Sequence, residues 1–331
     1  MGLFEKDIKI PTLYPDDKYN TAGEEYINKL RSFIDTAPDY LIDEINEAIN
    51  NAGKGKYGED TVRRKIVTAN VPMYVLHDLY IPLAGGGTAQ IDYVLITDKL
   101  IIVVEVKNFS SPVKVVKNGR FLAKFKDADK YETINSPIDQ NKDHIGALRN
   151  ALIGKYPKIQ KQIDNRLVSL VINANEHNNW FIDYKEVSKD IREQICNLGN
   201  TEVTDSIKNF LNKNAVLKPL NKKELAEKVF SCSDPGLAVD YFKRFYDKMS
   251  LYEKVFKDLV EYRDMKLKEL KYSDPKYILS DDSANKIAEV FVNDKSKLQG
   301  REDLKDISGI GDKISKKFGD DIINILKRNK F

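Results

Sequence analysis

Three charged side chains set in one apolar stretch, Asp92, Glu105 and Lys107, are the residues of this chain best placed to do chemistry. The run Gln90-Ile-Asp-Tyr-Val-Leu-Ile-Thr-Asp-Lys-Leu-Ile-Ile-Val-Val-Glu-Val-Lys107 carries them among aliphatic and β-branched neighbours. With Asp98-Lys99 as a two-residue hairpin turn, Thr97 faces Leu100, and counting outward sets Asp92 directly opposite Glu105. Opposed residues hold their Cβ atoms about 4.5–5.5 Å apart. Glu105 and Lys107 are two apart on one strand, so they leave the same face, and Asp92 joins them there. Two like charges in opposition repel, and an apolar setting adds a desolvation cost. A hard divalent cation such as Mg²⁺ relieves that conflict, taking carboxylate oxygens and keeping waters for a phosphate. Lys107 is then close enough to orient a water or help deprotonate it. The chemistry so assembled is phosphodiester hydrolysis. The plainer alternative makes Glu105 and Lys107 an ion pair where a strand leaves the core and Asp92 a strand-end cap. A Glu-x-Lys triplet alone is common, and the opposed Asp92 is what favours catalysis.

Several elements must position these groups. Apolar residues at three- and four-residue steps from Thr21 to about Asn51 predict two helices separated at Ala37-Pro38. The glycines of Asn51–Gly58 predict a break, so that a new helix begins at Glu59 and runs to Ile66, with its first carboxylate favoured by the helix dipole. Strands are expected over Met73–Leu83, Gln90–Thr97 and Leu100–Phe109, and a helix over Pro137–Leu152. Gln140 and His144 lie one turn apart on that helix and share a face. His144 alone reads best as an ordinary surface or core residue. Gly85–Gly87 lacks the strand, helix and Lys-Ser/Thr context of a phosphate loop and reads as a flexible connection. Leu167–Asn173 suits a buried strand, Val203–Leu211 and Lys222–Phe230 suit helices, and the mixture suggests an α/β layer.

These residues carry a resemblance. Gly58-Glu59, Gln90-Ile91-Asp92, Glu105-Val106-Lys107-Asn108 and Ser136-Pro137-x-x-Gln140 resemble the nuclease-related domain, NERD, a family assigned to the PD-(D/E)xK nucleases, over about Gly58–Phe230. The resemblance implies an α/β restriction-endonuclease-like core with a mixed sheet. It implies Mg²⁺ or Mn²⁺ at Asp92 and Glu105, catalysis at Lys107, and support from Glu59 and Gln140. Ser136 departs from the family, whose members usually carry Asn before the proline.

After the turn-forming cluster Ser231–Gly236 the pattern becomes all-helical. Leu304-x-x-Ile307-Ser-Gly309-Ile310-Gly311-x-x-Ile314 has the form of a helix-hairpin-helix. Gly309 and Gly311 permit a tight turn whose N–H groups could cradle a phosphate, followed by Lys313, Lys316 and Lys317. With Leu251–Leu270, Tyr277-Ile-Leu-Ser280-Asp281 and the end at Arg328, the segment resembles an HRDC domain, the helical accessory module of helicases and ribonuclease D. That resemblance implies nucleic-acid binding, with docking of a protein partner as the alternative. Asp303, Asp306, Asp312, Asp320 and Asp321 interrupt the lysines and weaken any electrostatic footprint.

The resulting organisation is an amino-terminal helical segment (1–51), a nuclease-like α/β domain (52–235), a linker (236–250) and a helical HRDC-like domain (251–331). A chain of 331 residues with 41% hydrophobic and 32% charged residues can fill two cores, which excludes disordered and fibrous classes. The net charge of +3 requires any nucleic-acid surface to come from local clustering. No apolar run is long enough to span a membrane. Glu5, Lys6 and Asp7 stand where a secretory signal would be apolar, and Lys6 where a myristoylation signal wants Ser or Thr. Cys196 and Cys232 form no disulfide framework or zinc pattern and read as buried fillers in a cytoplasmic protein. The expected activity is that of a Mg²⁺- or Mn²⁺-dependent deoxyribonuclease acting on DNA, with RNA left open. A non-catalytic nucleic-acid-binding or adaptor protein with a vestigial site is the alternative.

Overall fold

The computed structural model describes residues 8–15, 22–125, 128–238 and 240–329. The readings placed on Glu5, Lys6, Asp7 and Thr21 lie outside the described residues. The chain divides into two compact units: Met1–Asp35 with Asn46–Val239, and Thr36–Ile45 with Asp240–Phe331.

The first unit is built on a six-stranded mixed sheet. Its strands are β1 (Thr12–Leu13), β2 (Tyr74–Pro82), β3 (Thr88–Ile96) and β4 (Ile101–Lys107), and later β8 (Leu167–Asn173) and β10 (Ile195–Asn197), in the order β1-β2-β3-β4-β8-β10. The β2-β3-β4 meander is antiparallel, and β8 joins β4 in parallel. Side chains alternate between two cores. Val75, Tyr93, Leu95, Ile102, Val104 and Leu170 turn toward Val62 and Ile66 of helix α2 (Asp39–Val67) and Ile207 of helix α6 (Val203–Lys213). Leu76, Val94, Ile96, Ile101 and Val103 turn toward Leu148 of helix α3 (Pro137–Lys155) and Leu225 of helix α7 (Lys222–Phe230). Period-2 alternation in the sequence therefore becomes a sheet covered by helices on both faces.

A second, four-stranded sheet, β7-β6-β5-β9, was not foreseen. It comprises β5 (Val113–Val116), β6 (Arg120–Ala123), β7 (Glu132–Ile134) and β9 (Phe181–Ile182). These strands are short, so no periodic run announces them. The signal was the dipeptide Asn118-Gly119, whose residues adopt φ of 61° and 73° and close the β5-β6 hairpin. The short helices α4 (Gln160–Ile163) and α5 (Lys189–Glu193) complete the unit.

Helix α1 (Ala22–Ile34) is followed by α2, a single helix over Asp39–Val67 that runs straight through Gly53, Gly55 and Gly58. The expected break at Asn51–Gly58 is absent, and Glu59 sits inside a helix, where no end-of-helix dipole acts on it. Each interior glycine costs about 1 kcal/mol relative to alanine. Tertiary packing overrides that propensity: a Cβ on Gly58 would lie 2.8 Å from Asn108 Cβ and 3.3 Å from Ala174 Cβ. The glycine lets α2 approach the ends of β4 and β8 closely enough to deliver the next residue, Glu59.

The second unit is helical, with α8 (Lys243–Leu270), α9 (Asp281–Asn293) and α10 (Asp312–Arg328). Val255, Leu259, Ile287, Phe291, Ile322 and Leu326 form its core. Residues 243–250, read from composition as linker, belong to α8. Thr36–Ile45 also belong here: the Tyr40 ring stacks on Tyr252 with centroids 4.7 Å apart, and Lys248 pairs with Glu44. The first arm of the expected helix-hairpin-helix is a 3-10 turn, Asp303–Asp306. No helix is long and apolar enough to cross a membrane among the described residues.

Candidate active site at the strand fork

The hairpin register is the one the sequence implies. Ile96 pairs with Ile101 and Tyr93 with Val104, so continuing the count sets Asp92 against Glu105. The backbone ladder ends at Tyr93–Val104, however, and beyond it the Asp92 side chain substitutes for the backbone, Oδ2 accepting the N–H of Val106 at 2.6 Å. Meanwhile β4 keeps its pairing with β8, Glu105 opposite Val171 and Lys107 opposite Asn173. The carboxylates thus gather where β3 and β4 part.

Glu105 is 2% exposed. Its Oε1 pairs with Lys107 Nζ at 2.5 Å, while Oε2 faces His144 Nδ1 at 3.3 Å without a hydrogen bond to it. Helix α3 brings His144 there because Asn141, one turn earlier, is buried and donates from Nδ2 to Val103 O and Ser169 Oγ, each at 2.9 Å. Sequence reasoning gave His144 a plain role; only the packing of α3 on β4 and β8 reveals what it touches.

Asp92 and Glu59 both border a cavity of about 30 Å³, lined also by Lys56, His77, Asp78 and Gln90. Asp92 is half-buried, and its carboxyl is held well above the usual aspartate range, by desolvation first and then by the charges of Glu105 and Glu59. The Glu59 carboxyl is pushed up to about 7, again by burial first, then by Asp78, Asp60 and Glu105, against the opposing effect of Lys56. The Tyr93 hydroxyl donates to the Glu59 carbonyl at 3.0 Å and ties α2 to β3 beside the fork.

Asp78 was missed. In the β2-β3 register His77 pairs with Tyr93 and Leu79 with Ile91, so Asp78 falls opposite Asp92, with a left-handed φ of 50° inside a strand. Its carboxylate accepts from Gln90 Nε2 at 3.0 Å. A polar His77-Asp78 pair interrupting an apolar strand was the available signal.

Gln140 is exposed on the first turn of α3, and its side-chain amide makes no hydrogen bond among the described residues. Ser136 caps α3, accepting the Asp139 N–H at 3.2 Å. Asn caps a helix as well as Ser does, which accounts for the departure at this position.

No group of three or more His, Cys, Asp or Glu side chains is arranged to enclose a metal ion among the described residues. The donor set nevertheless fits a hard cation of the Mg²⁺ kind, which binds through one or two carboxylates and fills its other positions with waters and phosphate oxygens. The observation that supports the fit is the pair itself: a buried carboxylate with one oxygen lacking a hydrogen bond, beside a second carboxylate that resists ionising.

The glycine turn of the second unit is arranged differently. Gly309 adopts φ +89°, and a Cβ there would meet Ser283 Oγ at 2.4 Å, so this glycine serves the packing of the turn on α9. Gly311 precedes the first turn of α10 in open space. Lys313 and Lys316 are exposed; Lys317 is also exposed but donates to Tyr272 Oη at 3.0 Å. Asp312, in the first turn of α10, pairs with Lys305 at 2.9 Å.

A mixed sheet flanked by helices, with paired carboxylates and a lysine at a strand fork, defines the class as an α/β protein with an acidic cluster at a strand fork. The comparisons agree at that level: residues 54–174 match the family model of the nuclease-related domain, which suggests a nuclease-like function. An uncharacterized protein of Bacillus anthracis is 27% identical over 181 residues, covering 52% of this chain and 82% of that protein. No solved structure matches the chain.

Proposed function

We propose that the protein is a Mg²⁺- or Mn²⁺-dependent nuclease of the PD-(D/E)xK type that hydrolyses phosphodiester bonds of DNA, on a restriction-endonuclease-like core, in the cytoplasm. The observation that carries this reading is Glu105, a buried carboxylate beside the half-buried Asp92, with Lys107 as its close cationic partner. Asp92 and Glu105 would hold the metal, which when bound supplies Lewis-acid activation of the phosphate and of a water. The chain's own groups do the rest. Asp92, braced by the Val106 N–H, fixes the spacing of the acidic pair. Lys107, drawn away from Glu105, turns its ammonium to the attacking water or to the charge developing on the phosphate. Glu59, with a carboxyl poised near neutrality, can hold or release a proton at the rim of the site. Gln140, exposed at the start of α3, is free to meet the substrate backbone.

The helical unit would assist binding as an HRDC-like module through Gly311 and the lysines of α10, and its exposed Tyr277 adds a ring beside Tyr272 and Lys317. A protein partner for this unit is the competing use.

The Lys107–Glu105 pair at 2.5 Å is also what a non-catalytic nucleic-acid-binding protein with a vestigial site would keep. One assay separates the two: purified protein incubated with labelled single- and double-stranded DNA and RNA, with Mg²⁺, Mn²⁺ or chelator. Metal-dependent cleavage of DNA supports the nuclease, and binding without cleavage under every metal supports the adaptor.

A further inference from the structure

The small sheet presents a surface that the proposed chemistry does not use. Its inner face is ordinary core: Val113, Val115, Phe121 and Ala123 pack with Trp180 and Ile138. Its outer face, with the segment that follows β9, is aromatic and basic. In the register Lys114 stands opposite both Leu122 and Phe181, so these three side chains rise at one level. Lys114 Nζ lies 4.2 Å from the Tyr131 ring centroid and 6.0 Å from that of Phe181, and the Arg192 guanidinium lies 4.9 Å over the Tyr184 ring. Phe181 is 59% and Tyr184 70% exposed. From Val113 to Phe125 the chain carries Lys114, Lys117, Arg120 and Lys124 and no acidic residue. Of the acids nearby, Asp183 is engaged in its own turn, accepting the N–H groups of Lys185 and Glu186; Glu193 pairs with Lys189 and Lys213; Glu186 and Asp190 are exposed in the segment that carries Tyr184 and Arg192; and Asp129 and Glu132 lie on the β7 side, the sheet edge away from Phe181.

Exposed rings that each carry a cation, on a face dense in lysine and arginine, suit a polyanion whose bases are free to stack. A duplex hides its base faces, so the matching ligand is single-stranded. The sheet is also rooted at the fork: its core includes Ile138, on the first turn of α3, and Val171, which pairs with Glu105.

We propose that the outer face of this sheet, together with the β5-β6 turn and the turn that follows β9, binds single-stranded nucleic acid, with Phe181 and Tyr184 as stacking rings and Lys114, Lys117, Arg120 and Lys124 as phosphate contacts. As the route by which substrate reaches the fork it rests on the nuclease reading, but its binding test does not. Full-length protein in chelator is photocrosslinked to oligo(dT) or oligo(U) carrying 5-iodouracil, and the crosslinked residues are mapped. Crosslinks at Phe181 or Tyr184 are expected, in either or both arms, which distinguish DNA from RNA; the same base within a duplex should not crosslink there. Phe181→Ala and Tyr184→Ala should each weaken oligo(dT) binding about tenfold, whereas Phe181→Tyr and Tyr184→Phe should bind as the unaltered chain does. Emission from the single tryptophan, Trp180, buried beside Phe121, checks that each variant is folded. Crosslinks confined to other residues, or alanine variants that fold and bind like the unaltered chain, would overturn the proposal. If the alanine variants lose the binding that the unaltered protein shows in chelator, and the unaltered protein never cleaves, this surface is upheld while the nuclease reading is removed.

Discussion

The strand fork and the glycine turn are both places where the sequence sets charge beside structure, and they treat that charge in opposite ways. At the fork, carboxylates converge on a partly buried site: Asp92 is held well above the usual aspartate range, Glu59 is poised near 7, and one oxygen of Glu105 has no hydrogen bond. At the turn, charge is exposed and largely matched: Asp312 pairs with Lys305 and Lys305 with Glu302, while Lys317 donates to the neutral Tyr272 hydroxyl. A frustrated buried cluster has a reason to persist only if something bound there relieves it. A compensated exposed one needs no ligand. The two regions therefore predict different things of their mutants.

The largest effects belong to the fork. Lys107→Ala should lower cleavage by about 10²–10⁴-fold while leaving metal binding intact or stronger, because it removes a positive charge beside Glu105. Asp92→Ala and Glu105→Ala should abolish both cleavage and metal binding measured by calorimetry, and should not lower the melting temperature of the metal-free protein. A Lys107→Ala protein that binds metal and cuts at the original rate would make Lys107 a strand-end ion-pair partner, and would dissolve the contrast with the turn.

That the fork was legible and much around it was not has a physical reason. Register follows from period-2 alternation and a two-residue turn, which are local, so Asp92 and Glu105 could be opposed by counting. Helix α2 could not be read through Gly53–Gly58, because what holds it there is contact with Asn108 and Ala174, far along the chain. His144 was ambiguous for the same cause: its partner Glu105 is fixed by Asn141 bonding to two strands. Thr36–Ile45 carry no mark that they belong with α8 and α9. A truncation at Leu251, natural on composition, would cut α8 and strip the stacked partner from Tyr40, so tests of the helical unit belong in the full chain.

Next in size is a stability effect that divides the two glycines. Gly309→Ala forces a side chain into φ +89° against Ser283 and should cost about 1–3 kcal/mol, read by denaturant melting. Gly311→Ala meets open space and should leave stability within about 0.5 kcal/mol. Equal costs would mean that the turn is not packed on α9 as described.

A third test reads the fork's frustration without substrate. Glu59 binds its proton more tightly folded than unfolded, so the folded state takes up protons. Stability is then greatest below the ordinary carboxylate range and falls as pH rises from about 4.5 to about 7. Asp92, raised as well, acts in the same direction. The metal-free protein should melt several degrees lower at pH 8 than at pH 5, at roughly 2–4 °C for each kcal/mol, and Mg²⁺ should recover much of that loss at pH 8. A melting temperature that rises across this range would show that the acids are already satisfied.

The smallest effect is expected at the turn, and it is informative for being small. Lys313→Gln and Lys316→Gln each remove one exposed positive charge whose surroundings include Asp312 and Asp320. If the turn contacts DNA through phosphates alone, each change should reduce binding a few-fold, uniformly across sequences, and lower the slope of log affinity against log salt by up to about one. The compensating acids argue for the lower end of that range. No change in slope for the double variant would leave the turn a packing device for α9 and α10, with a protein rather than DNA as the ligand to seek for the helical unit. A loss as large as that of the fork variants would show that exposed, matched charges can matter as much as buried, unmatched ones, and the contrast between the two regions would fail.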